Sequence, residues 1–540
     1  MVAPQLMTRL FDLTIEATEE AIVNVLTSAT TLVGRNGLTA HALDHDLLHE
    51  ALTTPVPGIP GDPMTEHPLP KKDNRLTGRL GTVGIVFMVI AAAAPLTVIG
   101  GNMPLAMGLG NGAGAPVGFL IASLVLLLFS VGFVTMTPHV PEAGAFFSYV
   151  TVGLGQRAGK GIAVVALIAY TAIQVGIYGY IGWAIGDTVG HYDGPQIPWP
   201  VYSFAVLAIV ALLGYRHIEL SAKVLGVALV LEIGIVVLLD LAIVAKPGPS
   251  GLSLTSFQPD VFTHGVLGIA VLFALTGFIG FEATAVFRDE ARDPERTIPR
   301  ATYAAVLIIG AFYTVTCWAF VVALGPDQVA AVAQRTLAGD GNMLLDTTEA
   351  SLGRIGRDVV NVLLLTSLFA CVLSFHNVIA RYQFVLAGKG LLPERLAQVH
   401  GRHDSPAFSS AVQTVTAAVI VAILAILGID PPLVGVFGSM AGVATVGMVL
   451  LMLTTSVSVL AYFVRHREHS GGRIWQTRIA PALACLGLVA SMWLVLTNFT
   501  LVTGGSATLS TVLAAIPFMG LVVGAFCGDP HGRCPKPPGG

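Results

Sequence analysis

Two glutamates interrupt otherwise apolar runs of this chain, Glu232 in VLGVALVLEIGIVVLLDLAIV and Glu282 in LFALTGFIGFEATAVF. On insertion scales an ionisable side chain costs roughly 2.5–3.5 kcal/mol at the centre of a bilayer, so each is a functional candidate. Glu232 lies mid-run, where a carboxyl group can take up and release a proton, and it is the proton-coupling candidate. Glu282 directly follows the glycines Gly277 and Gly280 and is expected to anchor the chain there through backbone hydrogen bonds. Asp187 and Asp240 fall nearer the ends of their runs and are expected to be solvated. Tyr170, Gln174 and Tyr178 recur at i, i+4 and i+8, so they share one helix face where their polar tips meet a cavity or bond a neighbouring helix. Thr366, Ser367 and Ser374 offer hydroxyls that suit a sodium ion. His376 reads as a proton sensor or as a packed, hydrogen-bonded histidine.

Other chemistries find no pattern. Cys317, Cys371, Cys485, Cys527 and Cys534 show neither CxxC nor His/Cys ligand spacing, so no disulfide framework, metal site or cofactor is expected. GLGQRAGKG at 153–161 has the wrong first spacing for a phosphate-cradling loop and Gly161 where a hydroxyl is required. GLGNGAG at 108–114 imitates a dinucleotide fingerprint but follows no strand. No catalytic residue is assigned.

The elements that must position these residues are membrane spans. Of 540 residues 54% are hydrophobic and 11% charged, against about 25% charged in a soluble domain. Apolar stretches of bilayer-crossing length recur from Gly81 almost to the end. Twelve are expected, at 81–109, 116–137, 161–189, 201–214, 222–244, 265–287, 301–324, 359–386, 409–427, 433–463, 480–499 and 508–527. With the N-terminus inside, the inner segments from Met64 on carry most cations, among them Arg75, Arg157, Lys160, Lys223, Arg300, Lys389 and Arg465. The outer loops hold only Lys246, Arg335, Arg354 and Arg357, which supports the count and places both termini in the cytoplasm. The net charge of -4 and this one-sided distribution imply no nucleic-acid partner.

Residues 1–63 differ in kind, with an acidic helical stretch at 10–32, a turn at 34–37, a short helix near 46–52 and a Pro/Gly-rich linker at 55–63. They form neither a signal peptide nor a span. The run LFDLTIEATEEAIVNVLTSATTLVGRNGLTAHALDHDLL resembles the C-terminal end of the L-aminopeptidase/D-esterase (β-peptidyl aminopeptidase) family. That family acts through a serine at the start of a separate chain, a region absent here, so the resemblance implies a catalytically inert segment. It reads as a peptidase tail joined to a membrane protein starting at Met64, or as a cytosolic regulatory extension. The expected domains are therefore 1–63, a basic cytosolic segment at 64–80, the transmembrane domain at 81–527 and a cytosolic tail at 528–540.

Spans one and six both contain helix-breaking residues. The first reads AAAAPLTVIGGNMP, with Pro95, Gly100, Gly101 and Pro104, and the sixth carries Gly277 and Gly280. They lie five helices apart, as a five-plus-five inverted repeat with its ligand at mid-membrane requires. Unwound backbone supplies N–H donors for a carboxylate and carbonyls for an ammonium, a match for a zwitterion. Glycine in a membrane helix equally permits close helix packing.

GFIGFEATAVFRDEARDPERTIPRA at 277–301, SFHNVIARYQFVLAGKGLLPERLAQVH at 374–400 and PEAGAFFSYV at 141–150 resemble signatures of the amino acid-polyamine-organocation superfamily. The resemblance implies an all-α membrane protein of LeuT-like fold with helices one and six broken. Carried over by position, it implies that Thr97, Gly100 and Gly101 contribute to the break in helix one, and Phe278, Gly280 and Glu282 to that in helix six; the helix face that Tyr170 and Gln174 share makes these two further substrate candidates. Phe278 would be the aromatic gate over the substrate, or else a packing residue. At helix one the chain departs from the family, with TVIGG where a G-S/A-G-I element is usual. Near Glu232, proton-coupled members of the family can place a lysine, and none stands mid-helix here.

The expectation is a multi-pass permease of a bacterial-type cytoplasmic (inner) membrane, moving amino acids or amines by proton symport, with sodium coupling left open. A transporter-like sensor and a membrane-tethered, peptidase-related fusion without transport are the alternatives.

Overall fold

The computed structural model describes residues 32–33, 39–40, 81–140, 146–215, 222–282, 284, 291–398, 406–504 and 506–526. The chain divides into two units, Met1–Asn74 and Arg75–Gly540. In the first, Leu32–Val33 pairs antiparallel with Thr39–Ala40, Leu32 opposite Ala40 and Val33 opposite Thr39. The expected turn at 34–37 lies outside the described residues. Leu32, assigned from sequence to a helix, is a strand residue in this pair. The rest of that expected helix, the one near 46–52 and the linker lie outside the described residues, as do 141–145 and 285–290 of the family-like motifs.

In the second unit the long helices follow the apolar runs. They are α1 (Thr82–Ala92), α2 (Ala115–Met136), α3 (Gln156–His191), α4 (Trp199–Tyr215), α5 (Ala222–Ala245) and α6 (Leu267–Thr276). There follow α7 (Pro294–Leu324), α8 (Met343–Gly388), α9 (Ala407–Ile426), α10 (Ser439–Arg465), α11 (Ala480–Thr497) and α12 (Ala507–Phe526). By length and composition nine helical stretches among the described residues can cross a membrane, the first of which, Thr82–His139, runs through both of the first two expected spans. α4 and α6 are apolar but shorter. α3 extends past its expected ends because hydropathy marks only the apolar part of a helix, whereas Met343–Gly388 starts early because a separate helical segment joins it across Gly353, whose φ is 75° and ψ -179°.

α5 shows how sequence becomes orientation in this bundle. Val227, Val230, Leu231, Leu238 and Leu241 are exposed, a face suited to lipid. Leu229, Glu232, Val236, Leu239, Asp240 and Ile243 recur at helical spacing on the other side and are buried. Both acids therefore face protein. At the crossing of α3 and α12 a Cβ on Gly161 would stand 2.6 Å from the Leu521 carbonyl, and one on Gly524 2.8 Å from that of Lys160. These two glycines let the backbones approach closely, the small-residue packing that holds helices together where lipid supplies no hydrophobic drive.

Candidate functional site

Helix one is interrupted at Ala93–Ala94. α1 ends at Ala92, and Ala94 adopts a left-handed conformation (φ 45°, ψ 73°). Pro95 then restarts the helix, its fixed φ and missing N–H suiting a first helical position. A non-glycine residue there is strained, a state found where surrounding structure enforces it. Beyond it, Val98–Asn102 and Ala106–Asn111 are π-helical turns, a geometry concentrated at functional sites.

The glycine pair therefore does not form the break. Gly100 and Gly101 sit in the first π-turn, where a Cβ on Gly100 would run into the Tyr180 hydroxyl and one on Gly101 would lie 2.8 Å from both the Tyr180 and Phe437 rings. Both positions thus permit a close approach of Tyr180 and Phe437. Thr97 follows the break by one turn, buried, with a hydroxyl that bonds no partner among the described residues.

Helix six breaks where glycine marks it. α6 ends at Gly277, whose N–H reaches the Phe273 and Ala274 carbonyls, and Gly280 has φ 110°, which a side chain would oppose. Glu282 folds back on this turn. Its carboxylate accepts from the Gly280 N–H at 2.9 Å and from the Tyr170 hydroxyl of α3 at 2.8 Å. Asn102 ties the two breaks together, its amide donating to the Phe273 carbonyl at 2.9 Å. On α7, the Tyr313 hydroxyl donates to Ala93 O, a carbonyl freed by the first break, at 3.3 Å.

Glu232 joins the first break from α5. It accepts from Ser367 Oγ of α8 at 3.0 Å, and its carboxyl group lies beside the backbone N–H of Leu96, in the first turn of the restarted helix. The N-terminal N–H groups of a helix have no intrahelical partner, so a carboxylate is a natural companion.

Other candidates lie apart. Gln174 accepts from Gln413 Nε2 of α9 at 2.7 Å, helix-to-helix bonding rather than a tip in a cavity. Phe278 packs edge-on against Tyr313, ring centres 6.2 Å apart, as a packing residue does. Asp240 is not solvated: it is 9% exposed and accepts from Thr316 Oγ1 at 2.7 Å. Asp187 is half-buried and bonded to Asn342. His376 bonds Ser410 Oγ at 2.8 Å. The Ser367 hydroxyl serves Glu232, Thr366 bonds its own helix at Leu363 and Ser374 is exposed, so these three do not converge on one point. Sequence reasoning missed Tyr180 and Phe437, whose rings stand 5.1 Å apart over the glycine pair. The repeated glycines of Leu433–Gly438, itself a π-helical turn, were the available signal.

Two interrupted helices tied to each other, with buried carboxylates at both breaks inside an apolar bundle, define the class of multi-pass membrane transporters. The amino acid permease family model matches residues 80–526, and the chain belongs to that family, as a transporter rather than an enzyme. It is similar to the serine/threonine exchanger SteT of Bacillus subtilis (22% identity over 65% of this chain and 78% of the relative). It is also similar to the branched-chain amino acid permease BcaP of Bacillus subtilis, at 24% identity over 62% of this chain and 72% of that protein. A third relative is the cationic amino acid transporter 7, chloroplastic, of Arabidopsis thaliana, 25% identical. There the match covers 56% of this chain and about half, 53%, of the relative.

Proposed function

We propose that the chain is a secondary active transporter that carries amino acids or related amines together with protons across a bacterial-type cytoplasmic membrane. Twelve spans, a five-plus-five inverted repeat and both termini in the cytoplasm complete the reading. The named relatives act on serine and threonine, branched-chain and cationic amino acids, and what these share is the α-amino and α-carboxyl groups.

The observation that carries the reading is Glu232 on the helix-one break. Its carboxylate lies beside the Leu96 N–H, one of the donors that an amino acid's carboxylate would seek. Two carboxylates compete there. Proton uptake by Glu232 removes its charge and yields the helix end to the substrate, and proton release returns it, so carriage of the substrate is tied to carriage of a proton. Thr97, with its unpaired hydroxyl beside the same break, is the first candidate for substrate contact. Residues 1–63 take no part.

Full-length protein and a chain starting at Met64 are reconstituted into liposomes and assayed for uptake of a labelled panel of amino acids and amines. Accumulation by both under an inward proton gradient, abolished by collapsing the gradient, insensitive to sodium and lost in Glu232→Gln, is the expected result. Sodium-driven uptake that survives Glu232→Gln overturns the coupling assignment, and saturable binding without uptake favours a sensor.

A further inference from the structure

Asp240 is the second acid on the buried face of α5, and coupling through Glu232 alone leaves it without a role. Thr316 Oγ1 of α7 donates to its Oδ2 at 2.7 Å, while Oδ1 is buried with no hydrogen-bond partner among the described residues. A carboxylate shut away from water with a single donor is costly to keep charged, and a proton on the free oxygen removes that cost. A tie between two membrane helices does not require an acid, since Ser, Thr, Asn or Gln makes the same kind of bond. An ionisable group at this depth is therefore a functional candidate in its own right.

Its position relative to Glu232 suggests what the group does. Two turns of α5, about 12 Å, separate the two acids. Under the proposed topology α5 runs from the inner to the outer side, so Asp240 is the outer of the pair. α7 places hydroxyls along the same path. Thr316 meets Asp240, and Tyr313, one turn further inward on the same helix face, donates to Ala93 O at the helix-one break and lies within electrostatic reach of Glu232. Cys371 of α8 is also within reach of Glu232. Among the described residues no charged side chain acts on Asp240, and helix one carries no titratable group over residues 82–105.

We propose that Asp240 is the outer proton-loading group of the transporter, a role that rests on the proposed proton coupling. It takes a proton at Oδ1 from the outer side and passes it inward, past the Thr316 and Tyr313 hydroxyls, to Glu232. The distance exceeds what two hydroxyls bridge, so water completes the path while the outer side is open. Asp240 returns to the carboxylate as Glu232 becomes neutral, and one proton has moved inward. Because Asp240 is emptied in every cycle, it sets how fast Glu232 is loaded and not how many protons accompany each substrate.

The unmodified full chain, Asp240→Asn, Thr316→Val and Glu232→Gln are reconstituted into liposomes with labelled serine, leucine and arginine. Initial uptake against outer pH, final accumulation and counterflow exchange are measured for each. Asn keeps an oxygen for Thr316 but carries no proton. Asp240→Asn is expected to slow initial gradient-driven uptake about tenfold or more while final accumulation and counterflow match the unmodified chain, whereas Glu232→Gln abolishes accumulation. A hydroxyl that donates to a carboxylate favours its charged form, so Thr316→Val is expected to move the profile of initial uptake about one unit toward higher outer pH. Original rate and pH profile in Asp240→Asn, with accumulation still lost in Glu232→Gln, overturn the role of Asp240 and leave coupling through Glu232 standing. Equal slowing of uptake and counterflow reduces the acid to a tie between α5 and α7 and overturns the role as well. If the unmodified chain accumulates none of the three under the gradient, proton coupling falls and this role with it. Should Asp240→Asn not fold, an unshifted profile in Thr316→Val overturns the assignment.

Discussion

Ser367 Oγ on α8 donates a 3.0 Å hydrogen bond to the Glu232 carboxylate on α5, so the two helices meet at the residue assigned to proton coupling. A hydrogen bond to a charged group is worth about 1.5–3 kcal/mol, and Ser367→Ala removes it while leaving the acid beside the restarted helix one. Proton-driven uptake is expected to slow in Ser367→Ala, whereas Glu232→Gln stops accumulation but retains counterflow exchange of labelled for unlabelled substrate. Accumulation by Glu232→Gln at the original rate would remove the assignment.

Tyr170 reaches across from α3 to Glu282, the acid that closes the turn after α6. Tyr170→Phe deletes the donor and keeps the ring, so it is expected to lower stability by about 1.5–3 kcal/mol. Glu282→Ala, which also orphans the Gly280 N–H, is expected to cost more. Melting of both variants in detergent, alongside uptake, checks the order, and a Tyr170→Phe protein melting with the original chain would argue that the contact is idle.

A methyl group on Gly101 would stand 2.8 Å from the rings of both Tyr180 and Phe437. Overpacking of this kind costs about 1–3 kcal/mol, and Gly101→Ala is expected to cut uptake accordingly. Combining it with Phe437→Leu, which withdraws one ring, should restore part of the loss. A double variant worse than the sum of its parts would show that the glycine serves backbone conformation instead.

Arg357 is an outer-loop residue by sequence, yet its side chain is 8% exposed, bonding Asp346 at 2.7 Å and Glu349 at 3.1 Å and reaching His191 at the end of α3. Arg357→Gln is expected to cost about 1–2 kcal/mol, discounted because both acids are partly solvated. The loss should shrink at high salt, which chemical melts at two ionic strengths measure.

Helix positions were legible because a bilayer-crossing run is a strong, local signal. The break in helix six was legible too, since Gly280 adopts a φ that only glycine enters freely. The break in helix one was not found at Gly100–Gly101, because glycine also marks close packing, and there Tyr180 and Phe437 claim the space. The better signal was Pro95, since the residue before a proline is pushed out of the helical region, and Ala94 is the residue that leaves it. The partner of Gln174 was illegible for another reason. Spacing shows which side chains share a face but not which helix stands opposite, and that proved to be α9.

The buried face of α5 also bears on how the protein is made. Each of its two acids opposes insertion by roughly 2.5–3.5 kcal/mol, while each Leu, Ile or Val contributes only about 0.3–0.6 in favour. The hydroxyls that bond them, Thr316 on α7 and Ser367 on α8, lie further along the chain. During synthesis α5 thus enters the membrane before its partners exist, and the transport core closes around Glu232 only when α8 has emerged.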